Sequence, residues 1–190
     1  MSNSTANVVQ GLPVTTGGVL IGTSGATLPT TAAGTTTGFT ALGFVADSGL
    51  TESRSRTTDK TKAWGGAVVK VTQTEYSETY QFTLYESLNV DVQKAINGSA
   101  NVATTAASST HGQLLAISRN KNTLPKLPWI FDMKDGSTKD RIVIPSGQIT
   151  AVGDIVYSDS GVKGYPITLE AFEDGSGNCS YEYTDNGVTV

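Results

Sequence analysis

A chain of 190 residues with 37% hydrophobic and 16% charged residues, 21 glycines and a net charge of −4 has room for one domain, or one domain with a long arm. It shows no basic patch with interleaved aromatics of the kind that grips nucleic acid, and no apolar run approaches the 18 residues of a membrane helix. Cys179 is the only cysteine, which excludes an internal disulfide.

The first residues, MSNSTANVVQGLPVTTGG, have neither a basic n-region nor an apolar h-region, so no secretory signal is expected and folding is expected in a cytosol. Residues 1–40 read as an arm or irregular edge, with short apolar pieces (Val8-Val9, Val19-Leu20-Ile21) between Gly, Thr and Pro. A strand is expected at 39–45. The polar segment 46–66 carries Glu52, Arg54, Arg56, Asp59, Lys60, Lys62 and Trp64 without apolar periodicity. It reads as a long loop, of a length that compact domains reserve for function or disorder.

The next stretch, through Glu86, alternates. Val69 and Val71 occupy odd positions, whereas Tyr76, Tyr80, Phe82 and Leu84 occupy even ones, so the apolar face changes phase at 73–75. Gln-Thr-Glu is poor turn chemistry. One long strand with a bulge is therefore expected in preference to a hairpin. Its other face, Ser77, Thr79, Gln81 and Thr83, is small, polar and uncharged.

At 87–97 the period changes: Leu88, Val92, Ala95 and Ile96 define one helical face. Asn89 or Ser87 can cap its start, and Asn97-Gly98 can end it. Residues 99–113, rich in Ala, Ser and Thr, read as a loop. Strands are expected at 114–119, 129–133, 141–145, 147–157 and 165–172, with Asp135-Gly136 turning a hairpin. One helix among many strands gives a β-rich α+β domain, a sandwich with one flanking helix.

Chemistry is scarce. His111, the sole histidine, sits in a loop with no partner for a triad, and one His with one Cys cannot build the usual zinc sites. Asp174-Gly-Ser-Gly-Asn178 resembles the start of a calcium loop, with Asp185 at the twelfth position. Cys179 replaces the obligatory glycine, however, and no Glu closes the loop, so a turn between Phe172 and Tyr181 is the better reading. Three Asn-X-Ser/Thr sequences, at Asn3, Asn97 and Asn178, mean little without a signal peptide. No catalytic, cofactor or metal residue is nominated. Charge is uneven: residues 150–190 hold seven acids against Lys163 alone, −6, which leaves +2 for the rest. That segment is either a solvated face or a surface for charge matching.

The ordered set GFVADSGLTESRSRTTDKTKAWGG, a Thr-rich strand ending YQFTLYE, a helix, Asn101-Val102, WIFDM, RIVIP and VGDIVY resembles the major tail protein, or tail tube protein, of bacteriophages with long non-contractile tails. The resemblance runs from about Gly17 to Tyr183, and residues 101–112 depart from it in being poor in strand formers. It implies one tail-tube domain over 1–190, with an extended N-terminal arm, a long assembly loop at 46–66 and no immunoglobulin-like domain after Tyr183. It further implies hexameric rings stacked head to tail into a tube, a conduit for DNA ejection without enzymatic activity. The implied partners are other copies and the tape measure, tail terminator and tail initiator proteins. DNA would only pass through, without specific binding, and no membrane is involved. The implied location is the virion tail, assembled in the bacterial host cytoplasm.

Two sets of residues acquire expected roles from that resemblance. Glu52, Arg54, Arg56, Lys60 and Lys62 would make inter-subunit ion pairs, with Trp64 as apolar anchor; alternatively the loop is a solvated one with Trp64 in the core. Ser77, Thr79, Gln81 and Thr83 would line the lumen, since a wall without Lys or Arg offers phosphates no counterion-releasing site; alternatively they are the solvent face of an ordinary sheet. The competing function is a monomeric sandwich binding module, a virion decoration protein or a carbohydrate or protein binder. It would need Tyr157, Tyr165, Tyr181 and Tyr183 gathered on one surface.

Overall fold

The computed structural model describes residues 8–14 and 17–188. Among them the elements run β1 (Val19–Gly22), β2 (Phe39–Ala41), β3 (Thr51–Lys62), β4 (Val68–Leu84), α1 (Val90–Asn97), β5 (Val102–Thr105), β6 (Leu114–Ile117), β7 (Leu127–Asp135), β8 (Thr138–Val152), β9 (Tyr165–Ala171) and β10 (Tyr181–Asp185). All strand pairs are antiparallel, in the order β2-β1-β7-β8-β9-β4-β3 with β10 added to β8, while β5 and β6 form a separate ribbon.

The long strand β8 organises this sheet. Its first part pairs with both β7 and β10, and from Gly147 onward it pairs with β9. The handover falls where Trp129 faces Ile144 but Leu127 faces Gly147, a bulge that leaves Pro145 and Ser146 opposite Pro128. Proline has no N–H to give the ladder, so it is tolerated where the pairing is already interrupted. Sequence reading ends one strand at Pro145 and starts another at Gly147; the structure corrects this to one strand that bends.

The bend folds the two half-sheets face to face. Trp129 and Phe131 of β7 meet Tyr80 and Phe82 of β4, with ring centroids 5.3 Å apart for Tyr80–Phe131 and Phe82–Phe131 and 6.2 Å for Phe82–Trp129. Strict alternation in β9 buries Tyr165, Ile167, Leu169 and Ala171 in the same core. Gly147 is required there because a Cβ would stand 2.7 Å from the Trp129 ring. At one end α1 closes the core with Val92 and Ile96. The Asn89 side chain caps it by accepting the Asp91 N–H at 2.9 Å, and Gly98 ends it at φ 86°. The helix thus begins at Val90 and not at 87.

A second, smaller cluster lies on the outer face of β1, β7 and β8, where Leu20, Ile130 and Val143 pack with Leu28, Phe39, Tyr181 and Tyr183. Arg141 binds the Asp132 carboxylate at 2.5 and 2.8 Å, and its Nη1 donates to the Thr31 and Gly34 carbonyls. One buried cation thereby ties the segment before β2 to the sheet.

Several expectations are corrected. Residues 19–22, read as part of an arm or edge, form a strand between β2 and β7 with Val19 and Leu20 buried. The loop at 99–113 contains a short 3-10 turn and β5, and β10 is a strand that sequence reading did not name. The largest correction concerns 46–66: residues 51–62 are a twelve-residue strand, paired along its length with β4. The bulged strand itself is as expected. Thr57 faces Glu75 and Thr58 faces Gln73, which leaves Thr74 as the extra residue.

Candidate assembly surfaces

The β3–β4 hairpin has a root and an arm. Near the root Tyr80, Phe82 and Leu84 are core residues, and the polar face of β4 belongs to a four-stranded sheet. Beyond the Ser55–Ser77 pair the side chains of both strands are almost all exposed. The seven remaining residues of β3 extend the arm roughly 23 Å at about 3.3 Å per residue. At the tip, the Ala63 N–H donates to the Ala67 carbonyl at 2.7 Å and the Gly66 N–H to the Ala63 carbonyl at 2.9 Å. Gly65 and Gly66 take φ values of 97° and 92° that few L-residues tolerate. This turn holds Trp64 fully in solvent, at 106% relative exposure. The alternative that puts Trp64 in the core is thereby excluded. Val68, Val69 and Val71 are exposed beside it.

Glu52, Arg54, Arg56, Lys60 and Lys62 fall on one face of β3, because side chains two apart on a strand share a face. The two arginines already have partners within the chain: Arg54 pairs with Glu52, and the Arg56 guanidinium lies 4.7 Å from the Tyr76 ring centroid. Lys60 and Lys62 have no ion pair among the described residues.

The opposite face continues the predicted set across the sheet. Ser77, Thr79 and Gln81 stand opposite Ser55, Ser53 and Thr51 of β3. On the other side, Thr79, Gln81 and Thr83 stand opposite Glu170, Thr168 and Pro166 of β9. The result is a hydroxyl- and amide-rich surface in which Glu170 is the one charge. Sequence reading found the β4 row and missed the others. The period-two alternation of Thr51, Ser53 and Ser55 with Glu52, Arg54 and Arg56 was the available signal. Both margins of this sheet have free edges among the described residues: β3 pairs only with β4, and β8 beyond Gly147 pairs only with β9.

At the root lies a buried carboxylate. Glu78 is 3% exposed, and it accepts the Tyr76 and Tyr80 hydroxyls at 2.6 Å each. Burial pushes its pKa up, but hydrogen bonds from Ser180, Tyr76 and Tyr80 and the charge of Arg54 more than offset this, so the carboxyl sits below its ordinary value of 4.5. The hydrogen bond to Glu78, with burial, pushes the Tyr76 phenol up to about 12. Both shifts stabilise the fold at neutral pH, and each contribution is lost on one side of it. The Glu78 contribution is present above pH 4.5 and disappears as pH falls through its lower folded value. The Tyr76 contribution is complete below pH 10 and disappears as pH rises through about 12. Glu78→Ala is therefore expected to cost about 1–3 kcal/mol at pH 7, by stranding buried hydroxyls. It should also flatten the acid limb of a urea-derived stability–pH profile, and an unchanged acid limb would refute the assignment.

The remaining candidates do not form a site. The His111 Nδ1 lies 2.7 Å from the Gly112 carbonyl. Burial, followed by the charges of Glu78, Glu173 and Asp174, raises the Cys179 thiol, the opposite of an activated nucleophile. Asp174 accepts the Ser176 and Asn178 N–H groups and the Tyr181 hydroxyl, as a turn does. Among the described residues, no three His, Cys, Asp or Glu side chains come together as a metal would require. Tyr165 is buried in the core, Tyr181 and Tyr183 stack at 6.4 Å against the outer cluster, and only Tyr157 projects. The aromatic platform that a binding module needs is not assembled. The seven acids of 150–190 are also dispersed. Asp154 and Asp159 follow β8, Glu173 and Asp174 lie past the other end of β9, and Glu170 faces the polar sheet. Glu173 and Glu182 meet at one cleft, but with Arg54 and Arg56 beside them, and the seven make no single acidic patch. The Asn3 sequence lies outside the described residues.

A family described as phage tail tube protein matches residues 1–186. Among solved structures, the cryo-EM structure of the anti-feeding prophage cap, a tube-terminating cap, is similar at 9% identity and a TM-score of 0.44, covering 97% of this chain and 100% of that one. No curated protein matches the sequence.

Proposed function

The chain belongs to the phage tail tube protein family, and from that premise we propose that it is the repeating subunit of a tail tube, with hexameric rings stacked head to tail around a lumen that DNA crosses during ejection. The observation that carries this reading is the exposed arm. A two-stranded hairpin is marginal by itself in water, and this one carries exposed valines and a fully exposed tryptophan at its tip. Such an element is stable and specific only when another chain covers it. Arm and body are different surfaces, so a head-to-tail contact between them is heterologous, and stacked along the tube axis without closing it propagates into a filament.

Within a ring, the free edges of β3 and of the last part of β8 are the surfaces for joining neighbours. Pairing them would continue one sheet around a barrel and remove both edges. Between rings, Lys60, Lys62 and Trp64 are the arm's contacts, while Glu52, Arg54 and Arg56 stiffen its root. The face of Ser77, Thr79, Gln81 and Thr83, extended by β3 and β9, lines the lumen. Partners are other copies and the tape measure, terminator and initiator proteins. The site of action is the virion tail, assembled in the host cytoplasm, and no catalysis is involved.

Concentrated protein is accordingly expected to form tubes by negative-stain electron microscopy and to leave duplex DNA unbound. A Thr79→Lys/Gln81→Lys variant should form the same tubes but retain DNA in a salt-sensitive way, because lysines release phosphate counterions. Tubes of the variant that ignore DNA would remove these residues from the lumen. A protein monomeric at every concentration would contradict the reading as a whole.

A further inference from the structure

A cavity of about 340 Å³ opens between α1, the end of β1 and the start of β7. We propose that it is the socket for Trp64 of a second copy of this chain, an inference that rests on the head-to-tail reading above. The walls are mostly apolar, built by Ile21, Leu124, Leu127, Trp129 and Ile149. Its volume lies in the range of pockets that enclose a compact ligand, and an indole is the largest apolar group that the arm presents. A seated indole also needs an acceptor for its N–H, and Ser24 and Thr40 at the cavity supply oxygens. Asp91 and Lys94 both stand at the cavity, one turn apart on α1, so the rim carries a charge of each sign and Lys62, two residues before Trp64, would face Asp91. Two of the other clefts suit an indole less: the one at the root of the arm is walled by Arg54, Arg56, Glu78 and Glu173, and the one beside β10 by small polar residues with Glu182 and Asp185.

Placement supplies the polarity. The arm is built on the first half of β4, whereas α1 and the cavity follow that strand's other end. A tip directed away from its own socket reaches that of another copy, and in a head-to-tail stack each copy presents its socket toward the next copy's arm. A central aromatic in a desolvated pocket is the usual form of an interface hot spot.

The test is a benzoylphenylalanine photoprobe in place of Trp64, irradiated in tubes mixed from isotopically light and heavy copies. Light–heavy cross-links to residues 21–24, 91–99 or 124–129 are expected. Cross-links elsewhere in tubes that form normally overturn the socket and leave the tube reading standing. Failure of the parent protein to polymerise overturns both. Should the probe itself stop assembly, the same probe at Ala95, in the cavity wall, must capture residues 62–66 of another copy, and capture of any other segment counts against the socket. Trp64→Ala should raise the critical concentration for polymerisation at least tenfold; an unchanged value refutes the anchor.

Discussion

Replacing residues 56–76 by Asn-Gly is expected to yield a folded monomer that no longer forms tubes at any concentration. The deletion joins Ser55 to Ser77, which face each other across the hairpin, through the two-residue turn that suits the twist of paired strands. It removes the arm with Trp64 and the exposed valines, and it leaves Tyr80, Phe82 and Leu84 in the core. The one buried interaction lost is the Tyr76 hydroxyl on Glu78, worth about 1 kcal/mol. Circular dichroism should therefore show a cooperative transition within a few degrees of the parent, while sedimentation velocity shows monomer alone. Normal polymerisation by this variant would mean that the arm is not the inter-ring element. An unfolded variant would mean that the arm supports the core, contrary to its exposure.

Arg141→Ala should be the most damaging single substitution outside the aromatic core. The side chains of Arg141 and Asp132 are 7% and 17% exposed, and removing one member of a buried pair leaves the other desolvated, at a cost of about 3–5 kcal/mol. The same change frees the Thr31 and Gly34 carbonyls and unpins the segment that covers Leu20, Ile130 and Val143. Replacing both partners, Arg141→Met with Asp132→Leu, should recover much of the loss, since no charge is then stranded. Urea unfolding of the two variants makes the comparison. A loss below about 1 kcal/mol for Arg141→Ala would show that the pair is not a structural anchor.

The fold was legible wherever one face of a segment meets the core. Phe39, Tyr80, Phe82 and Leu84, the WIFDM and RIVIP runs and β9 carry alternation, and Asp135-Gly136 marks their hairpin at φ 59° for Gly136. The phase change placed a bulge within 73–75, where Thr74 is the extra residue, because one inserted residue must exchange the faces of everything beyond it. What stayed hidden follows from the same logic. β3 is solvated on both faces beyond its root, so its charges and hydroxyls alternate without any apolar signal, and the longest exposed strand looked like a loop. β1 has only four residues, too few to show a period, although it lies inside the sheet. Pro145 divided β8 on paper because a proline marks strand ends more often than bends.

The candidate assembly surfaces were legible as residues but not as places. Trp64 could be proposed as an exposed anchor only through family resemblance, since a lone tryptophan beside glycines fits a core as well as a tip, and the structure shows its exposure alone. The Ser/Thr/Gln row on β4 was visible, but its neighbours on β3 and β9 depend on pairings between distant segments. The cavity beside α1 draws on β1, α1, β7 and β8, separated by up to a hundred residues and more, and no local pattern announces it.

The central claim is that copies join head to tail through the arm, and a cryo-EM reconstruction of tubes grown from the purified protein tests it most directly. The map should show continuous β-structure around the lumen, with each β3–β4 arm crossing into the adjoining ring. A tube in which the arms project into solvent, or fold back on their own subunits, would contradict the account.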